Sequence, residues 1–152
     1  NKIESSEKYK KWIKNIATAI LENGNAIELK TPIGFIVSQT EYKTKTEYVS
    51  CGNNKKLKIN RYTDKIDESE HKKGIAPNYI HSLDATHLYL TINSLANKGI
   101  SNFLTIHDSF GTLPNDVEIL SDTLKEEFVK LYSNNVLEDL IEFVERRFNL
   151  KL

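Results

Sequence analysis

The chain is 152 residues long, 39% hydrophobic and 28% charged, with 21 basic and 21 acidic side chains that cancel to zero net charge. That length suits one compact domain or a piece of a larger one, and no apolar run approaches the ~18 residues that a membrane span needs. A single cysteine, Cys51, excludes an internal disulfide and fits a reducing compartment. No secretory signal opens the sequence, and the lack of any methionine, position 1 included, leads to the expectation of a segment excised from a longer polypeptide.

The first predicted element is a helix over residues 5–22. Tyr9, Trp12, Ile13, Ile16, Ile20 and Leu21 recur at intervals of three and four, and Asn23-Gly24-Asn25 supplies the stop. Ala26 to Lys30 alternates like a strand, Thr31-Pro32-Ile33-Gly34 turns the chain, and Phe35-Ile36-Val37 begins another strand. Residues 43–75 are polar and poorly periodic, with a hairpin expected around Gly52-Asn53-Asn54 and a strand near Leu57–Ile59. A long helix is expected over about 78–97, opened by Pro77 and closed at Asn97-Lys98-Gly99. A hairpin follows at 102–113. Two amphipathic helices, roughly 115–132 and 135–148, close the chain, the first with an apolar stripe through Leu120, Leu124, Phe128 and Leu131.

Charge is unevenly spread. Residues 1–76 hold 15 Lys/Arg against 10 Asp/Glu, and residues 77–152 hold 6 against 11. The basic excess lies in 43–73, through Lys43, Lys45, Lys55, Lys56, Lys58, Arg61, Lys65, Lys72 and Lys73. Such a stretch can follow a phosphate backbone or be a solvated loop.

Two features carry chemistry. In the 78–97 helix, a projection at about 100° per residue puts Ile80, Leu88, Ile92 and Leu95 on one face, and Asp84 falls inside that apolar arc. A carboxylate facing a core is costly unless paired or hydrogen-bonded, so Asp84 is expected to be largely buried, in a packing network or beside a polar site. His81 and His87 lie nearer the edges of the arc, about 120° apart, which is unlike the i, i+4 pair of a zinc helix. In the hairpin, the apolar run Phe103–Ile106 empties into His107-Asp108-Ser109. A carboxylate on a tight turn between paired strands is a rigid oxygen ligand for a divalent metal, although Asp and Ser are also ordinary turn residues.

Taken together, Gly74-Ile75-Ala76-Pro77-Asn78-Tyr79-Ile80-His81-Ser82-Leu83-Asp84-Ala85-Thr86-His87 resembles a signature of the single-subunit, phage-type DNA-dependent RNA polymerases, a family with bacteriophage and mitochondrial members. Thr105-Ile106-His107-Asp108-Ser109-Phe110-Gly111 resembles motif C of the same family. Trp12, and Thr31-Pro32-Ile33-Gly34 leading to Val37 and Gln39, match as well.

The resemblance implies an α+β fold, the C-terminal part of a right hand of palm, fingers and thumb. Residues of about 1–77 would be a fingers-side segment with the basic loop. Residues of about 78–152 would be a palm-side segment with the motif C hairpin and the C-terminal helices. It implies that Asp108 is one of two catalytic aspartates holding a pair of Mg²⁺ ions, with His107 orienting the turn or touching the RNA end. His81 would lie near the minor groove of the terminal base pair. Tyr79, Ser82, Asp84 and His87 would support that helix and its junction with motif C. The implied partners are DNA template, nascent RNA, ribonucleoside triphosphates and the rest of the polymerase chain, with no membrane.

The family's motif A aspartate and its motif B helix are not found here; Lys8, Lys10, Lys11 and Lys14 do not reproduce the motif B spacing. The fragment alone is therefore expected to be inactive. The chain also departs from the family by a shortening between Glu70 and Gly74 and an extra residue after Gln39. Two other readings stand beside this one: a stand-alone metal-dependent hydrolase using Asp84, His87, His107 and Asp108, and a non-enzymatic nucleic-acid-binding module using the basic loop. Richness in Asn, Lys and Ile suggests an A/T-rich coding genome, which leads to an expected mitochondrial location, with a phage protein in its host's cytoplasm as the alternative.

Overall fold

The helix ends at Gly24 and Gly99 follow short-range signals, while the burial of each helix face depends on more distant partners. The computed structural model describes residues 2–52, 55–106 and 108–152. Among these residues lie four α-helices and six strands: α1 (Lys2–Glu22), β1 (Glu28–Lys30), β2 (Ile36–Ser38), β3 (Tyr42–Ser50), β4 (Lys56–Ile66), α2 (Glu68–Asn97), β5 (Phe103–Ile106), β6 (Ser109–Thr112), a 3₁₀ turn at Pro114–Asp116, α3 (Val117–Tyr132) and α4 (Val136–Phe148). The strands form three two-stranded sheets, β1-β2, β3-β4 and β5-β6, so the chain is mixed α+β as the resemblance implied. By contacts it divides into two units, one of residues 1–28 and 38–76 and another of residues 29–37 and 77–152.

In the first unit, α1 buries Ile13, Ile16, Ala17, Ile20 and Leu21 as its three-and-four spacing predicts. Gly24 ends the run with φ +73, its N–H donated to the Leu21 carbonyl at 2.9 Å. The expected hairpin is present and far longer than the polar sequence suggests, with strands of 9 and 11 residues. Cross-strand partners share a face. Thr44/Tyr62, Thr46/Asn60, Tyr48/Lys58 and Ser50/Lys56 therefore lie on one side, and Lys45/Arg61, Glu47/Ile59 and Val49/Leu57 on the other. Thr46 donates to the Asn60 side-chain oxygen at 2.9 Å on the first side, and Arg61 pairs with Glu47 at 3.0 Å on the second.

The expected start of α2 at Pro77 is corrected. The helix begins at Glu68, within the stretch whose periodicity is weak. Asp67 caps it, accepting the Glu70 N–H at 3.2 Å, and Glu70 stands at the position a capping box requires. Pro77 lies inside the helix, where its ring removes one hydrogen bond donor from the ladder. The fully buried His71 ties this helix start to the ribbon, since its Nε2 and the Asp67 N–H both donate to the Glu41 carbonyl, at 3.0 and 2.9 Å.

In the second unit, α2 ends as read from the sequence. Gly99 has φ +82 and donates to the Ala96 carbonyl, and Ile100 donates to the Leu95 carbonyl, both at 3.0 Å. That is a Schellman closure, and its hydrophobic contact is present: Leu95 and Ile100 are buried together with Leu120, with Phe110 and Leu124 packed against them. Tyr79, Leu83, Leu131, Val136, Leu140 and Val144 are also buried. The Tyr79 hydroxyl donates to the Val136 carbonyl at 3.0 Å, joining α2 to the first turn of α4.

A candidate active-site cavity around the motif C hairpin

Strands β5 and β6 pair Ile106 with Ser109, which leaves a two-residue connection of His107 and Asp108. The predicted hairpin, with Asp108 in its turn, is thus observed; His107 lies outside the described residues. Asp108 is exposed, and the Ser109 hydroxyl approaches its carboxylate at 3.5 Å. So short a connection leaves the carboxylate little freedom relative to the two strands.

Asp108 and Phe110 line a cavity of about 690 Å³ with His81, Asp84, His87 and Leu88 of α2. The structure therefore brings His81, Asp84, His87 and Asp108 around one space. Tyr79 and Ser82 stay out of it. Tyr79 is 1% exposed and its hydroxyl is bound to α4, while the buried Ser82 donates to the Tyr79 carbonyl at 2.6 Å.

Asp84 corrects an expectation. It is exposed, not buried, and Ile80, assigned to the core arc, is 45% exposed. The helix instead buries a strip through Tyr79, Ser82, Leu83 and Thr86. Ser82 and Thr86 can enter a core because each donates its hydroxyl to a carbonyl one turn back, at 2.6 and 2.8 Å. A carboxylate has no proton to donate in that way, and Asp84 faces the cavity.

His87 joins three elements. Its Nε2 donates to the Leu124 carbonyl of α3 at 2.9 Å. Its ring meets Phe110 of β6 edge-on at 6.2 Å and Phe128 of α3 at 5.6 Å, and Phe128 in turn meets Tyr132 at 4.6 Å. Burial raises the Tyr132 phenol above its ordinary value of 10.0, and the negative charge of Asp84 raises it further. Sequence reading missed Tyr132 and assigned Phe128 to the core stripe, yet Phe128 is 51% exposed. The available signal was their spacing of four on α3, which puts both rings on the side that carries Leu124.

The donor chemistry at Asp108 fits a hard divalent cation, since an exposed carboxylate on a fixed turn offers the oxygen ligands that Mg²⁺ prefers. Among the described residues, which leave out His107, no three His, Cys, Asp or Glu side chains come together as metal ligands.

A family model described as DNA-dependent RNA polymerase matches residues 1–152. The chain is 34% identical over 145 residues to "DNA-directed RNA polymerase 1, mitochondrial" of Arabidopsis thaliana, covering 95% of this chain and 15% of that protein. It is 34% identical over 143 residues to "DNA-directed RNA polymerase, mitochondrial" of Mus musculus, covering 90% and 11%. It is 31% identical over 137 residues to "DNA-directed RNA polymerase 3, chloroplastic" of Nicotiana sylvestris, covering 90% and 14%. The chain thus spans 11–15% of the length of these relatives. With its full length matched by the family model and its capped helix and hairpin carrying the signatures read from the sequence, the chain belongs to the single-subunit DNA-dependent RNA polymerase family.

Proposed function

We propose that this segment supplies part of the catalytic palm of a DNA-directed RNA polymerase, that it acts by two-metal nucleotidyl transfer in the intact enzyme, and that it is inactive alone. The observation that carries the reading is the exposed Asp108 in its two-residue connection, facing His81 and Asp84 across one cavity in a chain matched throughout by the polymerase family. Asp108 would be the metal ligand this segment contributes, and the motif A carboxylate would come from elsewhere in the polymerase. When bound, a pair of Mg²⁺ ions supplies Lewis-acid activation of the RNA 3′-hydroxyl and countercharge for the triphosphate and leaving pyrophosphate. The chain's own residues hold and orient. His107 lies next to Asp108 and would orient the turn or touch the RNA end, and His81 offers a ring nitrogen to the terminal base pair. Asp84 borders the same space, and His87 fixes α2 against β6 and α3. Tyr79 and Ser82 support the helix from within.

Residues of about 1–77 would belong to the fingers side and residues of about 78–152 to the palm. The β3-β4 ribbon would contact template DNA or nascent RNA. Its first face carries Lys56 and Lys58 with Tyr48 and Tyr62, which are 67% and 76% exposed, and none of its cross-strand pairs contains a carboxylate. Lysines that neutralise phosphates and aromatic rings that stack on bases form a sequence-tolerant nucleic-acid surface. Mitochondrial and chloroplastic relatives support an organellar location, and the mitochondrion is our reading.

The test is Asp108→Asn in the full-length polymerase. Single-nucleotide extension should fall by several orders of magnitude, because metal stabilisation of the transition state is worth several kcal/mol. Promoter binding, titrated in parallel, should be largely retained. Near-normal extension would remove Asp108 from the catalytic role.

A further inference from the structure

Beside the Asp108 cavity lies a second one, of about 380 Å³, that shares His81 and Ala85 with it. Ile33, Phe35 and Val37 of the β1-β2 hairpin wall one side, and Asn78, His81 and Tyr89 of α2 wall the other. The hairpin is held open in a defined shape. Gly34, at φ +94, donates to the Thr31 carbonyl at 2.9 Å, and the Thr31 hydroxyl accepts the Phe35 N–H at 3.0 Å. At the mouth, Phe35 and Tyr89 are 58% and 48% exposed, with ring centroids 5.7 Å apart.

The lining selects a ligand class. Among the described residues it contains no Asp, Glu, Lys or Arg, so it offers a phosphate no lysine or arginine countercharge. The hydroxyls of Ser82 and Thr86 are already donated within α2. The Asn78 amide and the His81 ring have no hydrogen bond partner among the described residues. The lining therefore suits an occupant that is uncharged, flat enough to lie on an aromatic face, and edged with groups that can bond an amide and an imidazole. A nucleobase meets all three conditions, and base–aromatic stacking accepts any of the four.

We propose that this cavity receives an unpaired nucleobase from a strand end held in the adjoining Asp108 cavity, with its sugar and phosphate left outside. The inference rests on the polymerase reading of that cavity and adds a second position for the reacting strand end. Extruding a base costs least when it is already mismatched, so the pocket would be filled after a misincorporation and empty behind a correct pair. Two strands can offer such a base, the RNA at its 3′ terminus and the template opposite it.

Photocrosslinking in the full-length polymerase tests the proposal. A 4-thiouridine is placed at the RNA 3′ end, or a 4-thiothymidine at the opposing template position, each in a matched and a mismatched scaffold, and crosslinked peptides are mapped. A mismatched probe should attach to the segments bearing Phe35 or Tyr89, and Tyr89→Ala should lower that crosslink about tenfold, the order one lost base–aromatic stack gives. Tyr89→Phe, which keeps the ring, should restore it. The probe that responds identifies the strand; crosslinks from neither probe to these segments, or a yield indifferent to Tyr89→Ala, overturn the proposal. Asp108→Asn, assayed on the matched scaffold, separates the two readings. Blocked extension with no crosslink refutes the pocket alone, whereas normal extension removes Asp108 from the catalytic role and with it the reading of the adjoining cavity on which the pocket rests.

Discussion

Replacing Tyr79 with Phe and with Ala separates two contributions that the structure assigns to one side chain. The ring is 1% exposed, and its hydroxyl bonds the Val136 carbonyl across 57 positions of sequence. Tyr79→Phe keeps the ring and removes that bond, a net loss of about 1 kcal/mol. The Val136 carbonyl sits in the first turn of α4, where the helix can use it, so the larger penalty of an orphaned acceptor does not apply. Tyr79→Ala also empties the ring's volume in the core, for a total of roughly 3–5 kcal/mol. For a chain of this size each kcal/mol moves Tm by about 2–4 °C, so the Phe variant should melt about 2–4 °C lower and the Ala variant on the order of 10 °C lower. Thermal unfolding followed by circular dichroism, with urea titrations to check that the slope is unchanged, provides both numbers. An unshifted midpoint for Tyr79→Phe would show that the α2–α4 bond contributes nothing. An Ala variant no worse than the Phe variant would show that the ring is not in a packed core.

Asp84→Asn should leave stability within about 0.5 kcal/mol, as for other exposed positions, and a larger loss would restore the buried carboxylate first expected. The same variant should lower the Tyr132 phenol toward, but not to, its ordinary value, because burial remains after the Asp84 charge is gone; spectrophotometric titration of the phenolate reads this. Since the neutral phenol is favoured in the folded chain, the stability linked to Tyr132 is fully present below pH 10 and is lost as pH rises through its raised pKa, a loss that Asp84→Asn should shift to lower pH. His87→Ala, which removes the bond to Leu124 and the packing against Phe110 and Phe128, should cost about 1–3 kcal/mol in urea unfolding. On the ribbon, Lys56→Ala with Lys58→Ala should flatten the salt dependence of nucleic-acid binding by about two contacts, while Tyr48→Ala with Tyr62→Ala should weaken binding at every salt concentration without changing the slope; identical behaviour of the two pairs would refute the division of roles.

Local signals in the sequence determined the elements whose physics is local. The spacing from Tyr9 to Leu21 identified α1, Lys98-Gly99 stopped α2, and the interrupted apolar run around His107-Asp108 gave a hairpin with its carboxylate in the turn, because helix periodicity, left-handed glycine and tight-turn chemistry act within a few residues. The start of α2 was also legible, in Asp67 and Glu70, but Pro77 offered a competing boundary; a long helix tolerates the one lost bond. The orientation of α2 was not legible. Ile80 and Leu88 are more apolar than Ser82 and Thr86, yet the helix buries the hydroxyls, which satisfy themselves one turn back, and leaves Asp84 facing open space. Which side of a helix is buried is settled by what packs on it, here α4 through Tyr79 and α3 through His87, and those partners are distant in sequence. For the same reason only the tertiary structure could bring Asp108 to His81 and Asp84, set Phe128 and Tyr132 beside them, and fold Phe35 against Tyr89 to shape the neighbouring pocket.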